Sequence, residues 1–161
     1  FFFVANKVTQ MSDLNNCQRF GISGMEMKDK LKAISANKQI SFIDACNSGA
    51  FAEQYTLRGP QIEQSIAKLS RSTGSAIYAS TTSKQTAAEY ETLGHGVFTY
   101  VLLAALNGAT SLENCQVTVA NLKGYIDDQV PRLTEKHKGS RQYPITFLFG
   151  QDFPIGLRCA Q

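Results

Sequence analysis

Gln39-Ile40-Ser41-Phe42-Ile43-Asp44-Ala45-Cys46-Asn47-Ser48-Gly49 is the stretch on which the reading of this chain turns. Gln39 to Ala45 is a β-branched and aromatic run, long enough for a strand and too short for a helix. It ends at Cys46, and Asn47-Ser48-Gly49 is turn chemistry. A cysteine so placed has backbone N–H groups around it that can stabilise a developing oxyanion, and Gly49 permits close approach of a substrate. Its thiolate is a strong nucleophile when a base or a positive field lowers its pKa. The plainer alternative is a buried structural cysteine, since free cysteine is among the most buried residue types. Asp44 lies two residues before Cys46, so in strand periodicity both side chains face the same way.

Outward from this strand the chain alternates. Phe1 to Ala5 reads as a buried strand that starts abruptly; with no methionine before it, the chain suggests a cleavage product or an excerpt of something longer. A polar stretch follows. Then Ser23 can cap a helix, Glu26 can reach back to it and Ile22 can staple onto Met27. Met27, Leu31 and Ile34 form the apolar stripe of that helix, which closes near Ser35. Beyond the cysteine, Ile62, Ile66 and Leu69 mark a weaker helix after Pro60. Ser75 to Ser80 repeats the strand signal, and Thr81 to Thr92 is a loop. Val97 to Leu106 is apolar nearly all round, which predicts a helix in the core with a left-handed stop at Asn107-Gly108. A second long helix starts near Thr118, with Pro131 as a kink or early end, and Ile145 to Phe149 is the last strand. Such alternation predicts an α/β fold with a largely parallel sheet and helices on both faces. In such sheets, sites form beyond the carboxyl ends of the strands, where Cys46 stands.

Length and composition bound the rest. The 161 residues, 43% hydrophobic and 18% charged, fit one globular domain spanning residues 1–161 with a packed core. A net charge of +3, scattered among acidic residues, argues against nucleic acid or an anionic membrane as partner. The apolar opening is too short to span a bilayer and lacks the basic start of a signal peptide. Cys17, Cys46, Cys115 and Cys159 show no Cys-x-x-Cys pairing, and only two histidines are available to complete a zinc site, so no structural metal is expected. One disulfide stays open, with a reducing cytoplasm the expected location.

Phe42-Ile43-Asp44-Ala45-Cys46-Asn47-Ser48-Gly49 resembles the nucleophile motif of the caspase-like cysteine peptidases, particularly the metacaspase and bacterial caspase-like branches. The usual pattern is a hydrophobic strand, Asp, a small residue, Cys, His or Asn, Ser, Gly. Leu69 to Ser80 looks like the strand that pairs with bound substrate in that family. Gly94-His95-Gly96-Val97-Phe98-Thr99-Tyr100 and Arg141-Gln142-Tyr143-Pro144 look like its next landmarks. The resemblance spans nearly the whole chain. It implies a caspase-like three-layer sandwich and a cysteine–histidine dyad that cleaves peptide bonds through a thioester.

In caspases the base histidine lies about 50 residues before the cysteine, whereas 45 residues precede Cys46 here and both histidines follow it. On this reading the histidine comes from upstream of Phe1, in a companion N-terminal segment or another chain. His95, between two glycines, is a possible substitute base or a structural loop histidine; His137, between Lys136 and Lys138, reads as a surface residue at a helix end. Asp44 would line the pocket for the residue before the scissile bond and favour Arg or Lys, where aspartate-directed caspases carry glutamine; its other reading is a loop-bracing aspartate. Asn47 departs from the commoner histidine. Ser80, Thr81 and Thr82 would offer backbone or hydroxyl bonds to an extended substrate. Glu89 and Glu91 would add negative charge to the cleft, mark a cleavable loop or simply be solvated. Some metacaspases require calcium, but no loop here has calcium-ligand spacing, so no obligatory cofactor is expected. The expected partner is a protein or peptide substrate. Two other readings stand beside the peptidase: a caspase-like interaction module without catalysis, and an unrelated α/β cysteine hydrolase using His95.

Overall fold

The computed structural model describes residues 2–4, 21–44, 59–80, 89–90, 95–110 and 116–157. Strand β1 (Phe2–Val4) pairs antiparallel with β2 (Gly21–Ser23), placing Ile22 opposite Phe3. Helix α1 (Gly24–Ala33) starts on the expected capping box. The Glu26 N–H donates to Ser23 Oγ at 3.1 Å, and the Ser23 N–H donates to Glu26 Oε2 at 2.8 Å. Hydrogen bonds to its carboxylate from the Ser23 backbone N–H and from the Ser23 hydroxyl hold Glu26 below its ordinary pKa. The helix ends at Ala33, where Ile34 turns extended.

The central sheet is built from β3 (Ile40–Ile43), β4 (Ala76–Ala79) and β8 (Ile145–Phe147), with β4 in the middle. Strands β3 and β4 are parallel, which demands a crossover, and α2 (Gly59–Thr73) lies between them in sequence. Its return into β4 is abrupt because Gly74 adopts a left-handed φ of 67°. Ser70 clamps the same turn, its Oγ donating to the Ser75 carbonyl at 2.6 Å.

Alternate residues of β4 go to opposite cores. Ile77 and Ala79 join Leu31 of α1 and Ile66 and Leu69 of α2. Ala76 and Tyr78 join a larger cluster that includes Val97, Phe98, Val101 and Leu102 of α3 (Val97–Ala104) and Leu122, Ile126 and Val130 of α4 (Val119–Lys138). This two-sided burial is why β4 reads as a continuous run of small, apolar and aromatic residues. Tyr78 is wholly buried, yet its hydroxyl donates to the Val119 carbonyl at 2.5 Å. Burial, with the charges of Asp152 and Asp127, pushes its pKa well above the usual tyrosine value.

Where the alternation predicts a largely parallel sheet, the described part of the central sheet is mixed. Strand β8 joins β4 antiparallel, and of the five strand pairings described only β3 with β4 is parallel. The reason lies in the connection. Two helices, α3 and α4, separate β4 from β8, so the chain returns twice and enters the sheet from the opposite end. The small strands β5 (Glu89–Tyr90) and β6 (His95–Gly96) form an antiparallel ladder just before α3, so part of the expected loop over Thr81 to Thr92 is extended; residues 81–88, 91 and 92 lie outside the described residues.

Helix α3 runs on into a wide turn over Ala105–Ala109, where Gly108 has φ 107°, the left-handed stop its position predicts. It is less enclosed than its composition suggests, since Tyr100 and Leu103 are 40% and 42% exposed. Helix α4 starts on a second capping box, Thr118 with Asn121, and does not end at Pro131; it continues to Lys138. A proline here forfeits one helical hydrogen bond, but its ring is buried, which offsets that loss. The helix stops at Gly139, φ 67°, with Lys136, His137 and Lys138 placed favourably at the negative end of its dipole. Strand β8, read from the sequence as the last strand through Phe149, is shorter: Leu148 and Phe149 lie outside it before Gly150 turns at φ 98°. Two further strands, β7 (Gln116–Thr118) and β9 (Pro154–Leu157), pair antiparallel with an irregularity at Val117/Thr118. Among the described residues no helix is long and apolar enough to cross a membrane.

Candidate active site

The carboxyl ends of β3 and β4 lie side by side, and the parallel ladder continues one step past them. The Ser80 N–H donates to the Ile43 carbonyl at 2.9 Å. Asp44 is the next residue along β3 and is exposed. Within β3, Ile40 packs on the cluster of α3 and α4, and the Phe42 ring lies 5.2 Å from that of Tyr78, a member of the same cluster. Period-two alternation carries Asp44 to that face as well. Its contact agrees: Thr99 Oγ1, in the first turn of α3, donates to Asp44 Oδ2.

The end of β4 is held by a chain of polar contacts. Ser80 is buried, and its carbonyl accepts from Gln142 Nε2 at 2.5 Å. The Gln142 N–H in turn donates to Thr134 Oγ1 at 2.8 Å, while that hydroxyl donates to the Val130 carbonyl of α4 at 2.9 Å. Gln142 and Thr134 are both buried, so each bond is made where water does not compete. Beside them, Arg141 forms an ion pair with Glu135 at 2.8 Å, and the hydrogen bond to that carboxylate raises its pKa further.

This geometry corrects one expectation. Strand β4 has β3 along one edge and β8 along the other, so it offers no free edge over Ala76 to Ala79 for an added substrate strand. The backbone groups of Ser80 bond Ile43 and Gln142 as well. Cys46, Gly49 and Thr81 lie outside the described residues, as do Asn47, Ser48, Thr82 and Glu91. His95 sits in β6 opposite Tyr90, Glu89 in β5 opposite Gly96, and His137 in the last turn of α4. No group of three or more His, Cys, Asp or Glu able to hold a metal occurs among the described residues.

The whole stretch from residue 5 to residue 147 matches the family model described as the caspase domain. The chain belongs to the caspase domain family. No curated protein and no solved structure matches it. Family membership suggests a cysteine peptidase-like function, and the caspase domain match includes Cys46 and both strand ends described above. Thr99 and Gln142 are the residues of this caspase domain that sequence reasoning passed over as contacts. Both lie in stretches that resemble family landmarks, and a half-buried threonine in the mostly apolar run Val97–Ala104 is itself a signal, because partly buried polar groups seek partners.

Proposed function

We infer that this chain is the cysteine-bearing part of a caspase-like endopeptidase of the metacaspase or bacterial caspase-like branch, cutting after Arg or Lys. The observation that carries the reading is the caspase domain match across residues 5–147, which includes the Asp44-Ala45-Cys46-Asn47-Ser48-Gly49 motif. In this reading residues 1–161 are one domain, and the two core clusters on opposite faces of β4 favour the three-layer sandwich.

Cys46 as thiolate attacks the scissile carbonyl carbon, and backbone N–H groups near Gly49 receive the charge that develops on oxygen. A histidine imidazolium then protonates the departing amine, leaving a thioester on Cys46 that water hydrolyses. The histidine would come from a companion segment or chain. The edge of β3 away from β4, which has no partner among the described residues, is the place where a further strand would bring it beside Cys46. Asp44, exposed and two residues before the nucleophile, supplies the negative charge that selects a basic side chain. Thr81 would bond the substrate backbone, with Ser80 fixing its position through Ile43 and Gln142. Thiolate and imidazole supply all the chemistry required, so no cofactor enters the reaction; a reduced thiol fits a cytoplasmic setting.

Labelling tests this directly. A peptidyl-arginine acyloxymethyl ketone, incubated with the full-length protein including any native sequence before Phe1, should modify Cys46 and leave Cys17, Cys115 and Cys159 untouched by mass spectrometry. Equal labelling of all four thiols would reduce Cys46 to an ordinary cysteine and favour the interaction module.

A further inference from the structure

We propose that Thr99 sets the choice between arginine and lysine at Asp44 by holding one of its two carboxylate oxygens. The inference rests on the peptidase reading and deepens it. Thr99 is the third residue of α3, and its hydroxyl reaches Asp44 Oδ2 across 55 residues of sequence. Asp44 stands just beyond the last paired residue of β3 and is exposed, so its carboxylate is at once anchored and accessible.

A guanidinium presents parallel N–H groups that match both oxygens of a carboxylate side-on, whereas an ammonium is a point donor that one oxygen satisfies. With Oδ2 engaged by Thr99, the oxygen that no donor among the described residues engages, and that keeps its acceptor capacity toward a ligand, is Oδ1. A one-oxygen contact suits lysine as well as arginine and removes most of the advantage of the fork. The same bond stops the carboxylate rotating, so either cation meets Oδ1 in a fixed place. Thr99 is therefore a positioning residue that acts through Asp44. Removing its hydroxyl frees Oδ2 for the second guanidinium contact while loosening the carboxylate for both cations.

The test compares paired peptides that differ only in Arg or Lys before the scissile bond, using the full-length protein, Thr99→Val and Thr99→Ser. Thr99→Val should lower kcat/KM for the lysine peptide more than for the arginine peptide, raising the arginine-to-lysine ratio about fivefold, chiefly through KM. Thr99→Ser should restore the native ratio. A merely structural loss slows both peptides equally, so an unchanged or reduced ratio in Thr99→Val overturns the proposal. A second readout needs no cleavage: NMR titration of agmatine and butylamine into Cys46→Ala protein, with and without Thr99→Val, should show the same change of ratio. If neither amine binds, or the ratio is the same in both proteins, Thr99 has no such role. Amine binding that depends on Thr99, in a wild-type protein that cleaves nothing, would overturn the peptidase reading and leave the Thr99 assignment standing.

Discussion

Two aspartates in this molecule are put to opposite uses. Asp152 Oδ1 accepts from the N–H groups of Ala120 at 2.9 Å and of Phe153 at 3.0 Å, at the start of α4. Partial burial works to raise its pKa, but the bonds from Ala120, Thr118, Phe153 and Val119 outweigh that and hold it below the ordinary value of 3.8. Asp44, at the end of β3, is exposed like Asp152 but has a single donor among the described residues, Thr99. The first carboxylate is consumed by folding. The second keeps acceptor capacity in reserve, as a binding site requires. A carboxylate saturated by backbone donors serves stability, whereas one anchored by a single bond keeps the capacity that recognition needs.

Several measurements can break or sharpen that contrast. Asp44→Asn should lower kcat/KM for Arg and Lys peptides about a hundredfold, because a charge-assisted contact is lost, with little change in unfolding free energy. An equal loss of stability would make Asp44 another structural aspartate. Gln142→Ala should cost about 2 kcal/mol in denaturant unfolding, since the buried bond from its side-chain amide to the Ser80 carbonyl is lost. Tyr78→Phe should cost about 1 kcal/mol, the net worth of its bond to Val119. Asp152→Asn should be the smallest, about 0.5 kcal/mol at neutral pH, because the site is largely solvated. Its pH dependence has a definite sign. A carboxyl whose folded pKa is depressed stabilises the fold above its unfolded pKa and loses that contribution as pH falls through the folded one. The difference between wild type and Asp152→Asn should therefore vanish on acidification below the ordinary carboxylate range, and a difference that grew instead would refute the assignment.

Local chemistry made much of this fold legible in advance. Ser23 with Glu26 marks the start of α1, and Gly108 the end of α3 and its extension, because caps and left-handed turns depend on residues a few positions apart. The direction of β8 was hidden, since it depends on how α3 and α4 stack together and not on any residue of β8 itself. Strand β9 was missed because Pro154 and Gly156 suppress the strand signal. In the site, Asp44 stood out beside Cys46 in the motif. Thr99 and Gln142 did not, because their partners lie 55 and 62 residues away and only the packed sheet brings them together.

The most direct test of the account is cleavage of short fluorogenic peptides carrying Arg, Lys or Asp before the reporter, by the full-length protein with Cys46→Ala as control. Cleavage after Arg and Lys that disappears in Cys46→Ala is the predicted result. Silence toward every peptide from folded protein, before and after limited proteolysis or added calcium, would contradict it, and a preference for Asp would contradict the role given to Asp44.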